Sequence, residues 1–383
     1  MNSVVSTERI PIKLWLDDIE HGALQQARDV ANFPFAQKWI SIMADSHQGY
    51  GMPIGGVMAT NEVIVPNAVG VDIGCGMVAA RLKTGHKVLS NKALLKGIMG
   101  AVREVIPMKF KHQKTNQEWI GFDEAPDSEI IQQELESSRR QLGTLGGGNH
   151  FIEIQQGDDG NYWLMIHSGS RNIGLKTAKF YHKKAVDLCK RWKSDIPNKD
   201  LSFLPMDGLG KEYYDAMKWC MKFAQANRSL MMTRLVKVID SYTSVDIIHM
   251  INIHHNYAEY EHHYGQNYIV HRKGATKATT LTTGIIPGSM GTNSFIVKGL
   301  GNPESFMSCS HGAGRKMSRS KAKQDLDLEL EQHMMSEVVH GLRGVSNLDE
   351  APGAYKDIDV VMENQKDLVE VLVKLTPLAS MKG

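Results

Sequence analysis

The sequence is poor in cysteine: Cys75, Cys189, Cys220 and Cys309 are the 4 in 383 residues, with no CxxC and no close pair. That argues against a disulfide framework and fits a reducing cytoplasm. Charge of one sign is also missing. Lys and Arg number 44 against 42 Asp and Glu, a net charge of +2. Global charge therefore proposes neither nucleic acid nor a membrane as partner, and such a partner has to be argued from a local patch. No uninterrupted apolar run of about 18 residues occurs, so no membrane span is expected. The opening "MNSVVSTERIPIKLWLDD" becomes charged too early for a secretory leader. GxxxxGK[ST] is absent, so a nucleotide would have to bind without a P-loop. Repeats, low-complexity tracts and composition breaks are absent too, and one domain over residues 1–383 is the expectation.

What the chain has instead is histidine, 16 residues, several of them in glycine-rich contexts. The first third reads as strand-rich: "KWISIMADSHQGYGMPIGGVMAT" and "NEVIVPNAVGVDIGCGMVAARLKT" alternate apolar runs with Gly, Pro and Asp turns. "NKALLKGIMGAVREVI" reads as helix, and residues 109–130 as an exposed polar loop. Apolar residues recur at helical spacing from Leu175 to Lys193 and from Glu212 to Asp240. The methionines of the second helix are core filler. Residues 247–275 mix helix and strand signals, "TTGIIPGSMGTNSFIVKGLG" is glycine-punctuated strand, and "KQDLDLELEQHMMSEVVHGLRG" reads as helix. Strands are not followed regularly by helices, so the expectation is α+β and not a doubly wound parallel sheet.

Taken alone, Cys75 in "DIGCG" reads as a small buried residue and Asp72 as a turn former. The same local pattern recurs, however. A strand and then a glycine-rich turn carries Asp72 and Cys75, then His150 in "GGGNHF", His167 in "IHSGSR", His255 in "HHNY" and His311 in "SHGAGR". Thiolate, carboxylate and imidazole together suit zinc, manganese or iron rather than calcium or magnesium. The donors are dispersed, so the fold has to bring them together, and their number raises a two-metal site able to clamp a phosphoryl displacement. Directly after His311, residues 315–323 hold Arg315, Lys316, Arg319, Lys321 and Lys323. Such a run is commonly a solvated helix face. Beside a nucleophilic imidazole it is also a candidate phosphate holder.

Longer blocks carry a resemblance. "VDIGCGM", "GTLGGGNHFIEI", "HSGSRNIG", "HHNY", "IIPGSMGTNSFIVKGLGN", "CSHGAGRKMSRSKAK", "EAPGAYKDIDVVM" and the terminal "MKG" resemble the RNA-splicing ligase RtcB family, from about residue 11 to the last. The resemblance implies a single large α+β domain with a fold of its own and an RNA ligase that uses GTP and two Mn2+ ions. His311 would attack the α-phosphate of GTP and carry GMP. An RNA 2′,3′-cyclic phosphate would be opened to a 3′-phosphate, GMP passed to it, and the 5′-hydroxyl of a second RNA would displace GMP.

By the same resemblance Asp72, Cys75, His150, His167 and His255 are metal ligands, with the Cys75 thiolate shared between two ions. Asn149, Glu153, Asn256, Pro287, Gly288, Ser289, Met290, Ser294, Gly312, Ala313, Gly314, Tyr355 and Lys382 match guanylate-binding positions, Lys382 as the lysine that reads the base. Arg171, Arg315 and Arg319 match anion-binding arginines along the RNA path, and Asp45 matches an acid needed for activity. The implied protein is cytoplasmic, off the membrane and monomeric, with a helper protein left open. At 383 residues the chain is short for the family, which also leaves open a specialised repair paralogue. A phosphoesterase that only opened cyclic phosphates would not need His311, Lys382 or "PGSMG". A non-catalytic RNA-end binder should lack a ligand or the nucleophile. All of these residues are present.

Overall fold

Strand-forming runs broken by Gly, Pro and Asp occupy both ends of the chain, and the long helices lie between them. The computed structural model describes residues 1–84 and 88–383. The first third comprises β1 (Ser3–Val5), β2 (Ile12–Leu14), α1 (His21–Ala31), β3 (Ala36–Tyr50), β4 (Met52–Thr60), β5 (Val63–Ile64), α2 (Pro66–Val69) and β6 (Gly76–Thr84). The middle holds α3 (Lys92–Val105), α4 (Glu129–Arg139), β7 (Phe151–Gly157), β8 (Tyr162–Ser168), α5 (Arg171–Trp192), β9 (Leu204–Pro205) and α6 (Leu209–Asp240). Then come β10 (Val245–His254), β11 (Asn256–His263), β12 (Gln266–Lys273), β13 (Ala275–Lys277), β14 (Thr283–Ile286), β15 (Ser294–Gly299) and β16 (Ser308–Ser310). The chain ends with α7 (Arg319–Asp325), α8 (Leu328–Met334), α9 (Ile358–Glu363) and β17 (Val369–Lys382).

The class is α+β, as the irregular strand and helix order implies. A six-stranded sheet runs β1-β2-β3-β4-β12-β11, and a seven-stranded sheet runs β10-β6-β8-β7-β17-β15-β14. The second sheet is antiparallel throughout, and its central strands β6, β8 and β7 are largely buried on both faces. In β6, Val78, Ala80 and Leu82 pack with Leu95 and Ile98 of α3 and Met231 and Leu235 of α6. Met77 and Ala79 point the other way, against Trp163, Met165, Ile296 and Leu375. Two buried faces explain why "GMVAARL" carries no polar alternation. Helix α1 covers one face of the six-stranded sheet. The other face packs Trp15, Met43, Val57 and Val270 against Phe295, Val297, Ile358 and Val369, which joins the two sheets.

Several local expectations are corrected. "EVIVPN" is strand only at Val63–Ile64, because Pro66 opens the turn of α2, where its fixed φ suits a first helical position. Residues 247–275 form strands β10, β11 and β12 and the start of β13 with only short turns between them, since sheet pairing overrides the helical signals. The helix expected over residues 323–344 is broken at Asp327, whose side chain caps a new start by accepting from the Leu330 amide at 2.8 Å, and that helix ends at Met334.

The segment 109–130 is not a wholly exposed loop. Phe122 is buried and Trp119 partly so, packed against Trp219 and Phe223 of α6 with ring centroids 5.2 to 6.2 Å apart. The aromatic pair anchors a polar segment that shows no periodicity of its own. Phe122→Ala should therefore cost about 3–5 kcal/mol of stability. A shift in the urea midpoint with unchanged slope checks this, and a loss below about 0.5 kcal/mol would return the segment to the surface.

Candidate active site and metal centre

The first donor segment reaches its place because glycine lets backbone meet backbone. Gly74 has φ +70°, and a Cβ there would lie 2.9 Å from the Met221 Cα of α6. At Gly76 a Cβ would overlap the Ile253 carbonyl, so only glycine lets β6 lie this close to β10. The Cys75 carbonyl then accepts from the His255 amide at 2.9 Å, which brings two donors together from residues far apart in the chain. His167 closes β8, opposite both Met77 and Phe151 in the ladder. His150 directly precedes β7, and the glycine at 146 leaves room for its ring. The expected pattern of strand then turn thus holds for His311, which directly follows β16. It does not hold for Cys75 and His150, which precede their strands.

The donor atoms converge. His150 Nε2 lies 3.0 Å from Asp72 Oδ2 and 3.4 Å from Cys75 Sγ. His167 Nε2 lies 3.2 Å from the same sulfur and 3.3 Å from His255 Nε2. His167 Nδ1 donates to the Asn149 carbonyl at 3.1 Å, so its Nε2 carries a bare lone pair. That lone pair faces the sulfur and a second imidazole nitrogen, an arrangement that a shared cation would satisfy. Burial, and then neighbouring cationic groups, hold His167 and His255 well below the ordinary imidazole range, as metal ligands require. Burial, and then Asp72, push the Cys75 thiol up, a direction that a bound cation would invert. Two donor groups result, Cys75–His167–His255 and Asp72–Cys75–His150, with Cys75 common to both. The set fits a borderline transition metal.

Across from these donors stands an acid–imidazole pair. Asp45 is fully buried in β3, where the pairing to β4 is irregular between Ile42 and His47. Its Oδ2 accepts from His311 Nδ1 at 2.6 Å, from the His311 amide at 3.0 Å and from the Gly312 amide at 3.2 Å. Burial would raise Asp45, but His311 beside it holds the carboxyl below its ordinary range. Gly314 (φ +73°) is needed because any side chain there would overlap the Asp45 carbonyl. With Nδ1 committed to Asp45, the free lone pair of His311 is on Nε2. The His311 and His255 ring centroids are 4.7 Å apart.

His311 and most of the donors open onto one cavity of about 690 Å³, although Asp45 and His150 are not in its lining. Its lining includes Asp72, Cys75, Asn149, His167, His255 and Asn256, then Pro287, Gly288, His311 to Gly314, Arg315, Arg319, Tyr355 and Lys382. Glu153, Ser289, Met290, Ser294 and Arg171 are not in that lining. Ser294 and Glu153 lie buried behind the wall: Ser294 Oγ accepts from the Gly288 amide at 3.1 Å, and Glu153 accepts from Ser380 Oγ and Gln155 Nε2, both at 2.8 Å. Met290 packs in an apolar cluster with Met335 and Leu348. The Arg171 side chain donates to Thr144 Oγ1 at 3.0 Å and to the Lys109 carbonyl at 2.6 Å.

Lys382 is not a frayed terminus. It pairs with Phe151 in the β17–β7 ladder, and the Gly383 amide donates to the His150 carbonyl at 3.0 Å. Arg315 and Arg319 do not share a helix face, because Ser318 caps α7 and leaves Arg315 in extended pairing with Tyr355. They meet on a residue that sequence reasoning missed. Glu350 lies 3.3 Å from Arg315 Nη1, 3.2 Å from Arg319 Nη2 and 3.7 Å from Lys382 Nζ, and it accepts from the Tyr355 hydroxyl. One buried carboxylate thus gathers the cationic wall. It stands just before "APGAY" in the chain and carries no local signal of that role.

A family model described as "tRNA-splicing ligase RtcB" matches residues 26–383. The chain is 39% identical to the RNA-splicing ligase RtcB of Escherichia coli K12, with 99% of each chain covered. It is 30% identical to the tRNA-splicing ligase RtcB of Nanoarchaeum equitans, covering 98% of this chain and 95% of that one. Identity to the RNA-splicing ligase RtcB of Mycobacterium tuberculosis is also 30%, over 94% of this chain and all of the relative.

Burial raises Glu153 to about 7, against opposing pulls from Lys382, Ser380 and Gln155. A raised carboxyl contributes stability that is complete below about pH 4.5 and is lost as pH rises through about 7. Glu153→Gln should therefore flatten the pH–stability curve over that window. Relative to the parent it should gain roughly 3 kcal/mol between pH 5 and pH 8, the equivalent of a two- to three-unit shift. Urea unfolding at the two pH values checks this, and parallel curves would refute it.

Proposed function

The chain belongs to the RtcB family of tRNA-splicing ligases, and from that premise we propose that it joins an RNA 2′,3′-cyclic phosphate or 3′-phosphate end to a 5′-hydroxyl end at the expense of GTP. The observation that carries the reading is the Asp45–His311 pair facing the Cys–His–Asp donors across one cavity. Asp45 accepts the Nδ1 proton, fixing the tautomer and ring orientation, and stabilises the imidazole as it gains positive character on attack. His311 attacks the α-phosphorus of GTP through Nε2, pyrophosphate leaves, and a phosphoramidate to GMP results. His311 then surrenders GMP to the RNA 3′-phosphate. A phosphate monoester is a poor electrophile because its leaving group is poor, and GMP becomes a better one for the incoming 5′-hydroxyl.

Asp72, Cys75, His150, His167 and His255 would hold the metal, read as two Mn2+ ions, with Cys75 belonging to both donor groups. When bound, the ions offset phosphate charge and orient the displacement. Asn149, Asn256, Gly288 and the Gly312–Gly314 backbone line the nucleotide pocket. Ser289, Met290, Ser294 and Glu153 support that wall from behind, and Tyr355 flanks it. Lys382 presents its ammonium to a guanine acceptor atom. Arg315 and Arg319 hold RNA phosphate through paired guanidinium contacts, with Arg171 extending the path. The protein acts as a cytoplasmic monomer on RNA.

The defining experiment supplies purified protein with RNA carrying cyclic-phosphate and 5′-hydroxyl ends, GTP and Mn2+. Sealed product is expected, and end opening without sealing would refute the ligase assignment. His311→Ala should abolish labelling of the protein from [α-32P]GTP, and a mutant that still labels would remove His311 from the nucleophile role. Asp45→Asn should slow adduct formation by about 10²-fold or more, the scale of losing the carboxylate that fixes the imidazole's tautomer and offsets its developing charge, with Mn2+ binding unchanged. Deleting Lys382 and Gly383 should erase discrimination of GTP over ATP. Unchanged discrimination would take the base-reading role away from Lys382.

A further inference from the structure

Behind the donor cluster, two adjacent residues of α6 are fully buried and polar: Asn227 and Arg228, each 0% exposed. An arginine with no water is unusual, and no carboxylate pairs with this one among the described residues. Its bonds go elsewhere. Nη1 donates to the Gly74 carbonyl at 3.0 Å and to the Ser168 carbonyl at 2.8 Å. Nη2 faces His254 Nδ1 at 3.2 Å, and Nε donates to Asn252 Oδ1 at 2.8 Å. Gly74, Ser168 and His254 are the chain neighbours of Cys75, His167 and His255. One planar guanidinium therefore grips the residue beside each donor of one candidate metal group.

Asn227 extends the same frame toward the other group. Its Oδ1 accepts from the Gly143 and Thr144 amides at 2.7 and 3.1 Å, at the start of the loop that ends in His150. Its Nδ2 donates to the Gly169 carbonyl at 3.2 Å, and a Cβ on Gly169 would overlap the Asp72 carboxylate. The donors sit at the ends of the neighbouring strands β10, β6, β8 and β7 or directly beside them, and these two side chains are how α6 ties those ends and their loops together.

We propose that Arg228 is a positioning residue for the metal centre: its fork sets the spacing of Cys75, His167 and His255, and through it the affinity for the first cation. The fixed fork is the operative property, because lysine keeps the charge but cannot span diverging acceptors. Outer-shell partners of this kind typically change metal affinity by about 10–100-fold. The inference rests on the metal-centre reading above.

The test uses the full chain, stripped with chelator and titrated with Mn2+ by electron paramagnetic resonance. Co2+ is bound in parallel to read the thiolate-to-cobalt charge-transfer band. Arg228→Lys should bind Mn2+ at least 10-fold more weakly and shift or weaken the cobalt band, with the circular dichroism of the apo-protein unchanged. Asn252→Ala leaves Arg228 in place but frees its Nε, and should weaken Mn2+ binding by a smaller factor of about 3–10. It decides the matter if Arg228→Lys fails to fold. Mn2+ affinity and cobalt spectrum within twofold of the parent in the foldable variants would overturn the proposal and leave Arg228 as core support. Cys75→Ala serves as the separate control: parental metal binding there would overturn the metal-centre reading itself.

Discussion

The hydrogen bond from His311 Nδ1 to Asp45 Oδ2 spans 266 positions of sequence and ties the residue after β16, in the two-stranded β13–β16 sheet, to β3 of the six-stranded sheet. Asp45 belongs to β3 of the six-stranded sheet, whereas Cys75, His150, His167 and His255 sit at the ends of strands of the seven-stranded sheet or directly beside them. The reactive imidazole faces the donor cluster only if both sheets are held in one registration. The apolar layer joining Met43, Val57 and Val270 to Phe295, Val297 and Val369 supplies that registration. Packing at crystal-like density transmits position, so a buried acid can aim a ring beyond its own sheet. Asp45 also accepts the His311 and Gly312 amides, so its burial is compensated only while the loop after β16 stays in place, and an unpaired carboxylate there would be expensive.

Close backbone approach is the second constraint. Gly76 lets β6 and β10 meet so that Cys75 and His255 share a hydrogen bond, and Gly314 lets the loop after His311 lie on Asp45. At these positions glycine is required by what stands opposite. Charge is arranged with similar economy. Glu350, with Asp349 3.6 Å from Arg319 Nη1, gathers Arg315, Arg319, Tyr355 and Lys382 into one rigid cationic wall. Side chains pinned in this way give up less rotamer freedom when an anion arrives.

Much of the site was legible because the chemistry-bearing residues sit in short glycine-flanked blocks, and soft and borderline donors are uncommon together. The helices at Lys92–Val105, Arg171–Trp192 and Leu209–Asp240 were legible for a different reason: each is long enough for its apolar period to show. The failures have specific causes. Residues 247–275 carry histidines and tyrosines whose propensity is indifferent, and pairing to β6 and β4 decided their state. Trp119 and Phe122 lie in a polar segment whose anchoring comes from α6. Glu350 and Arg228 look like ordinary charged residues, and only their buried neighbours distinguish them.

By itself, the sequence determined which reactive groups are available and where glycine permits tight turns, because residue chemistry and backbone freedom are local properties. It also determined the α+β class, through the irregular succession of strand and helix signals. Which donors share a sulfur, which nitrogen of His311 is left free, and which carboxylate gathers the arginines were decided by tertiary structure alone. Those are distances between atoms remote in the chain, and they exist only once two sheets and a long helix have packed around a common seam.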